Sequence, residues 1–316
     1  MVATVVAADV GGTHLRAAVV DATGHVFARR ERPTPKLASG DEILAILGDL
    51  LAMVARAAAV PPSAVCVAAP GLINAVAGSV ILAPNIPGFR NLQLAAPLSA
   101  RVGVPVVIEN DASAAALGEH RFGAGRGTRH LLHATLGTGI GGGIVIDGKL
   151  YRGAKGFAGE IGHIVVDPAG PRCNCGSRGC LEAVVSGVAF AERAKRLIEA
   201  NTSPVLKELT NYRDPTAADL HTAATKGDRM SEAEIRHGGH VLGIALGSLV
   251  NVLNPEMVTL SGGLLQMGDM LLDPLREAMF SIAYGPASGT VLRTTELDEN
   301  AGLLGAAAVA FEHLGA

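Results

Sequence analysis

The chain has 316 residues, 49% of them hydrophobic and 17% charged. That length fits about two domains at ~150 residues each, and that composition excludes a disordered chain. A net charge of −3, a pI near 6.4 and the lack of a Lys/Arg-rich stripe argue against nucleic acid as a partner.

The first residues, MVATVVAADVGG, carry no basic region and no small-residue cleavage site. They are expected to form a strand rather than a signal peptide. Val5 to Ala8 and Leu15 to Val20 are apolar runs around DVGGTH, which predicts a hairpin with a Gly-rich turn. The mixed run Arg29-Arg30-Glu31-Arg32 fits a solvated strand end. Ile43, Leu44, Ile46, Leu47, Leu50, Leu51 and Val54 have helical spacing, which predicts a helix over 41–59. SAVCVAAPG is a buried strand ending at a Pro-Gly break, and Cys66 within it is expected to be an inert core thiol. VPVVIENDASAAALGEH is a strand that turns directly into an Ala-rich helix. HLLHATLGTGIGGGIVIDGKLYRG repeats the order strand, Gly-rich turn, strand. Residues 184–252 are expected to be mostly helical, with a loop near 201–203. Their most apolar stretch, VLGIALGSLVNVL, is shorter than the ~18 residues a membrane span needs. A cytoplasmic location and no membrane partner are therefore expected. PEMVTLSGGLL is a further strand, and AGLLGAAAVAFEHLG a closing helix. Strands and helices alternate and a hairpin opens each half, which predicts an α/β protein with mixed sheets and duplicated halves.

Two readings fit the turn from Asp9 to His14. It is a tight hairpin whose glycines supply positive φ, or a nest of backbone N–H groups for phosphate oxygens, with Thr13 adding a hydroxyl and Asp9 holding Mg²⁺ through water. LGTGIGGG, from Leu136 to Gly143, has five glycines in eight residues, more than a hairpin requires. It lacks the Gly-Lys-Ser/Thr of a P-loop, and a strand rather than a helix follows it. A pair of Gly-rich hairpins suits the phosphate clamp of the actin–hexokinase type of ATPase. Asp111 ends the strand IEND, where it either caps the next helix or takes a proton from an attacking hydroxyl. LSGG, with Gly262 and Gly263, is a local turn or an approach to a nucleotide.

The densest chemistry lies in GEIGHIVVDPAGPRCNCGSRGCLE, which holds three of the four cysteines. His163, Cys173, Cys175 and Cys180 offer one imidazole and three thiolates, the donor set of a four-coordinate structural Zn²⁺. A reducing cytosol disfavours disulfides, which favours metal for clustered thiols. All four positions would be filled by protein, so the ion would fix a loop rather than catalyse. Glu160 and Glu182 flank that loop and are suited to accept hydrogen bonds from hydroxyl groups.

DVGGTHLR, APG, PNIPGF, IENDASAAALGE, LGTGIGGGIV, GEIGH, CNCGSRGCLE and LSGG stand in the order typical of the ROK family, and the chain resembles that family over nearly its whole length. The resemblance implies a two-domain actin-like/hexokinase-type ATPase fold with ribonuclease H-like duplicated domains and a central cleft. It suggests domains of 1–112 plus 302–316 and of 113–301. It implies ATP phosphates at Gly11, Gly12, Thr13, Gly137, Thr138 and Gly139, adenosine near Gly262 and Gly263, and Asp111 as catalytic base. The implied sugar contacts are Gly71, Asn85, Asn110, Glu160, His163 and Glu182, with His163 also on zinc. The family pattern implies an ATP- and Mg²⁺-dependent kinase for the 6-hydroxyl of a hexose, with glucose ahead of an N-acetylhexosamine and fructose. It also implies a homodimer or homotetramer. Two rivals are weighed. A ROK repressor would carry a helix-turn-helix before the first hairpin, which Asp9 already occupies. A non-catalytic sugar sensor would not need Asp111 and both glycine turns.

Overall fold

The structure is a computed structural model and describes residues 3–35, 38–83, 86–211, 213–297 and 300–315. β1 (Thr4–Val10) and β2 (His14–Asp21) make the first expected hairpin, with Asp9 opposite Arg16 and Val10 opposite Leu15. β3 (Val26–Pro33) pairs with β2, and its second half is exposed, as the charge run predicts. α1 (Gly40–Arg56) begins at a capping box between Ser39 and Glu42. β4 (Val65–Ala69) runs parallel to β1. The short antiparallel strands β5 (Leu72–Asn74), β6 (Ser79–Leu82) and β7 (Arg90–Gln93) form a small sheet of their own. Then come α2 (Ala95–Val102), β8 (Val106–Asn110) and α3 (Asp111–Phe122). The first large sheet has the order β3-β2-β1-β4-β8.

β9 (Leu131–Leu136) and β10 (Ile140–Ile146) flank the second Gly-rich turn, and β11 (Lys149–Leu150) follows. The helical stretch resolves into α4 (Leu181–Val185), α5 (Gly187–Glu199), α6 (Pro204–Thr210), α7 (Ala217–Thr225) and α8 (Arg229–Leu253). β12 (Met257–Ser261), α9 (Asp269–Ile282), β13 (Val291–Thr294) and α10 (Ala301–His313) complete the chain. The second large sheet has the order β11-β10-β9-β12-β13. No helix among the described residues is long and apolar enough to cross a membrane.

The chain divides into two compact units. One comprises Met1–His133, Gly143–Gly159 and Thr295–Ala316, and the other Ala134–Gly142 and Glu160–Thr294. In the first unit the period of two along β1 sends side chains to opposite faces. Val6, Ala8 and Val10 pack with Leu47 and Leu51 of α1 and Leu98 of α2. Val5 and Ala7 pack on the other face with Leu117 of α3 and Ala306 and Ala310 of α10. Each fully buried Leu or Ile in these layers contributes roughly 1.5–3 kcal/mol. α3 and α10 approach at glycines, since a Cβ on Gly118 would lie 2.9 Å from the backbone of Gly305. Cys66 is fully buried in this core, and burial pushes its thiol pKa well up.

Candidate active site

β1, β4 and β8 run in the same direction, with Asp9 opposite Ala68 and Ala69 opposite Asn110. Asp9, Gly71, Asn110 and Asp111 therefore gather at the carboxyl end of one sheet, where open α/β sheets bind ligands. Asn110 holds this corner together. Its Oδ1 accepts from the N–H groups of Ala112 and Ser113, both at 3.0 Å, and its Nδ2 donates to the Gly71 carbonyl at 3.1 Å. Asn110 is thus the N-cap of α3, which corrects the reading of Asp111 as the cap. Asp111 is the first helical residue, is exposed, and accepts from the Ala112 N–H at 2.8 Å.

Glu109 stands behind that corner with its side chain only 4% exposed. It accepts from the Asn110 N–H at 3.0 Å and from Arg152 Nε at 2.7 Å, and Arg152 Nη2 donates to Glu312 at 2.7 Å. Burial raises the Glu109 pKa, and the Arg152 guanidinium opposes that rise.

The first glycine turn closes with Gly11 N–H donating to the His14 carbonyl at 2.9 Å. The Thr34 hydroxyl donates to the Gly11 carbonyl at 2.6 Å. Gly12 and Thr13 are exposed at its tip. Burial raises the Asp9 pKa, opposed by Arg16, whose Nη1 lies 4.0 Å away. A half-buried carboxylate with so distant a cation suits a positive ligand.

In the second unit, Gly137 N–H donates to the Gly139 carbonyl at 3.0 Å and closes the other turn. The start of α5 supports it from outside. Gly187 N–H donates to the Gly137 carbonyl at 2.8 Å, and Val188 N–H to that of Thr138 at 3.3 Å. Glu182 accepts from the Ile140 N–H at 2.9 Å. Gly262, at a φ of +101°, lies against the Leu136 carbonyl, which a Cβ would meet at 2.3 Å. Gly263 follows it into a short 3₁₀ turn, so the LSGG segment and this hairpin are neighbours.

The loop after Glu160 brings His163, Cys173, Cys175 and Cys180 together, with all four ligand atoms within 4.8 Å of one another. His163 Nδ1 is 3.7 Å from Cys173 Sγ, and Cys175 Sγ is 3.6 Å from Cys180 Sγ. A tetrahedron of ligands about 2.0–2.3 Å from a Zn²⁺ ion has edges of about that length, so the four residues fit the ion. Bridges between Val165 and Cys180 and between Arg172 and Arg178 fold the loop back on itself. The other face of the imidazole turns to Glu160, with His163 Nε2 3.9 Å from its carboxylate. Burial raises the Glu160 pKa; His163 opposes this and the neighbouring Glu182 adds to it.

Of the residues singled out from sequence, Asn85 lies outside the described residues. The others fall into two groups: Asp9, Gly11, Gly12, Thr13, Gly71, Asn110 and Asp111 in the first unit, and the remainder in the second. Sequence reasoning passed over Arg152, Gly162 and Gly302. A Cβ on Gly302 would fall 2.5 Å from Asp9 Cγ, and one on Gly162 would fall 2.1 Å from the Ile140 carbonyl oxygen. Gly302 stands second in the final helix, where a glycine gives no local sign of what it makes room for.

A model of the ROK family matches residues 5–313. The glucokinase of Thermotoga maritima is 36% identical over 311 residues, covering 97% of each chain. Among solved structures, a ROK hexokinase from Thermus thermophilus superposes with a TM-score of 0.86 at 33% identity, covering 99% of each chain. A ROK family glucokinase from Streptomyces griseus, solved in complex with glucose and AMPPNP, superposes with a TM-score of 0.81 at 35% identity, covering 98% of this chain and 99% of its own.

Proposed function

The chain belongs to the ROK family, and from that premise we propose that it transfers the γ-phosphoryl group of ATP to the 6-hydroxyl of a hexose, with glucose as the preferred acceptor. The observation that carries this reading is Asp111, an exposed carboxylate at the start of α3, just beyond the carboxyl ends of the parallel strands β1, β4 and β8, where Asn110 caps the helix and bonds the Gly71 carbonyl. A carboxylate so held is placed to accept the proton of the attacking hydroxyl. Asn110, Gly71, Glu160, His163 and Glu182 would orient the sugar, the carboxylates by accepting hydrogen bonds from its other hydroxyls. Gly11–Thr13 and Gly137–Gly139 would line the phosphates, donating through the N–H groups of Gly12, Thr13, Thr138 and Gly139 while those of Gly11 and Gly137 close the turns, with Gly262 and Gly263 toward the adenosine. Mg²⁺ would neutralise phosphate charge, and Asp9 is the residue that would hold it through water. His163, Cys173, Cys175 and Cys180 would hold a structural Zn²⁺ that stiffens the loop between Glu160 and Glu182. The close relation to glucokinases supports glucose over fructose or an N-acetylhexosamine.

The test is ADP release from ATP-Mg²⁺ with glucose, mannose, fructose, N-acetylglucosamine and N-acetylmannosamine, beside the Asp111→Ala protein. Glucose is expected to give the highest kcat/KM. The variant should lose at least about a thousandfold in kcat while still binding sugar. No turnover on any of these sugars would overturn the kinase reading.

A further inference from the structure

The second glycine hairpin is shaped by the segment that carries the sugar-facing carboxylates. Ile140, which closes the hairpin, is held at both of its peptide groups. Its N–H donates to Glu182 Oε2 at 2.9 Å, and its carbonyl oxygen abuts Gly162, where a Cβ would come within 2.1 Å. Gly139 is packed against the same carboxylate, since a Cβ there would lie 2.2 Å from Glu182 Oε2. Gly187 and Val188, five and six positions beyond Glu182, bond the carbonyls of Gly137 and Thr138. Gly162 and Glu182 flank His163 and the three cysteines in the chain, so one folded loop grips the hairpin through both of its ends.

We propose that Glu182 is a positioning residue for this hairpin, and that through it hexose and nucleotide strengthen each other's binding. The inference rests on the sugar-kinase reading for the hexose half only. A carboxylate accepts at two oxygens. While it is held by a sugar hydroxyl, the rotamer that bonds the Ile140 N–H is already selected. The nucleotide then meets a hairpin that has paid its ordering cost, and the linkage runs equally in reverse. The Glu182 oxygen also takes up the one N–H of Ile140, which leaves the N–H groups at Thr138 and Gly139 as the hairpin's phosphate donors.

Calorimetric titration of the full chain with Mg²⁺-ADP, without and with saturating glucose, measures both halves. In the native protein glucose should tighten ADP about fivefold or more. Glu182→Ala should weaken ADP about five- to tenfold in the absence of sugar and abolish the glucose effect. Glu182→Gln, whose amide oxygen still accepts from Ile140, should restore the sugar-free ADP affinity. Hydrogen exchange at 137–140 should rise in the Ala variant, with exchange across α8 unchanged, which separates a local effect from misfolding. ADP affinity in Glu182→Ala that is unchanged or tighter, with unchanged exchange at the hairpin, overturns the proposal. A native protein that binds ADP but not glucose overturns the hexose reading and with it the coupling. The sugar-free arm still decides whether Glu182 positions the hairpin.

Discussion

Gly302, in the first turn of α10, lies directly on the carboxylate of Asp9 at the end of β1, with room for a hydrogen but not for a methyl group. The last helix of the chain is thus packed against the first candidate ligand-binding carboxylate. Gly302→Ala is expected to push either the helix or the carboxylate aside. Overpacking of this kind costs about 1–3 kcal/mol. If Asp9 holds Mg²⁺ through water, the substitution should raise the Mg²⁺ concentration needed for half-maximal turnover several-fold and leave the KM for glucose nearly unchanged. A Mg²⁺ titration of the initial rate checks this, and an unchanged requirement would separate Asp9 from the metal.

Arg152 balances two carboxylates at once, and Glu109 depends on it most because it is the more buried. Glu312 and the Cys66 thiol are the other titratable groups facing Glu109. Arg152→Met strands a buried carboxylate, a change that costs about 3–5 kcal/mol. Glu109 is then expected to take up a proton and to weaken its bond to the Asn110 N–H, so kcat should fall alongside stability. Arg152→Lys should recover part of both, since it keeps the charge and loses the second arm of the fork. Denaturant midpoints read the first effect and steady-state kinetics the second. Loss of stability with kcat intact would confine Arg152 to the core.

The sequence spoke most clearly where one residue type had a single use. Three thiols within eight positions, with His163 close before them, left little besides a metal loop, and the four ligand atoms do converge. Both glycine turns were legible because each sits between apolar runs that had to be strands. The strand-to-helix turn at Asp111 was legible but its cap was not, because Asn110 and Asp111 are both good capping residues and only the backbone shows which takes the role. β5, β6, β7 and α2 went unread. The strands are three or four residues long and lack a clean alternation of burial, so no period of two could appear. Gly162 and Gly302 were hidden for another reason: their role is to be absent, and what they make room for lies far away in sequence. Arg152 joins Glu109 and Glu312 across separations of 43 and 160 residues, which no local pattern encodes.

The cysteine loop should contain one Zn²⁺ per chain by elemental analysis. Burial pushes the Cys173 thiol pKa up to about 12, whereas the Ser177 N–H lowers that of Cys175, so binding the ion at neutral pH must release a proton from Cys173. Stripping the ion with a strong chelator, or Cys175→Ser, should weaken glucose binding about tenfold, because His163 and the Glu160 carboxylate beside it lose their fixed orientation. Secondary structure by circular dichroism should change little. Glucose affinity unaltered in protein verified as metal-free would show that the loop keeps its shape unaided.

His133 is fully buried in β9, and burial lowers its pKa from 6.5 to about 4. The folded state therefore resists a proton that the unfolded chain accepts readily. With the folded pKa below the unfolded one, nothing is lost above pH 6.5. Below it the unfolded state gains, by about 2 kcal/mol at pH 5 and about 3 kcal/mol at pH 4. Replacing the imidazole with a group of similar size that does not titrate, as in His133→Gln, should cost stability at pH 7 through poorer packing. It should also flatten the fall between pH 6.5 and pH 4 by one proton's worth of slope. Denaturant unfolding at pH 7, 6, 5 and 4 for both proteins gives the comparison. Parallel curves across that range would mean that His133 protonates without unfolding the strand, and that the acid sensitivity of the fold originates in other groups.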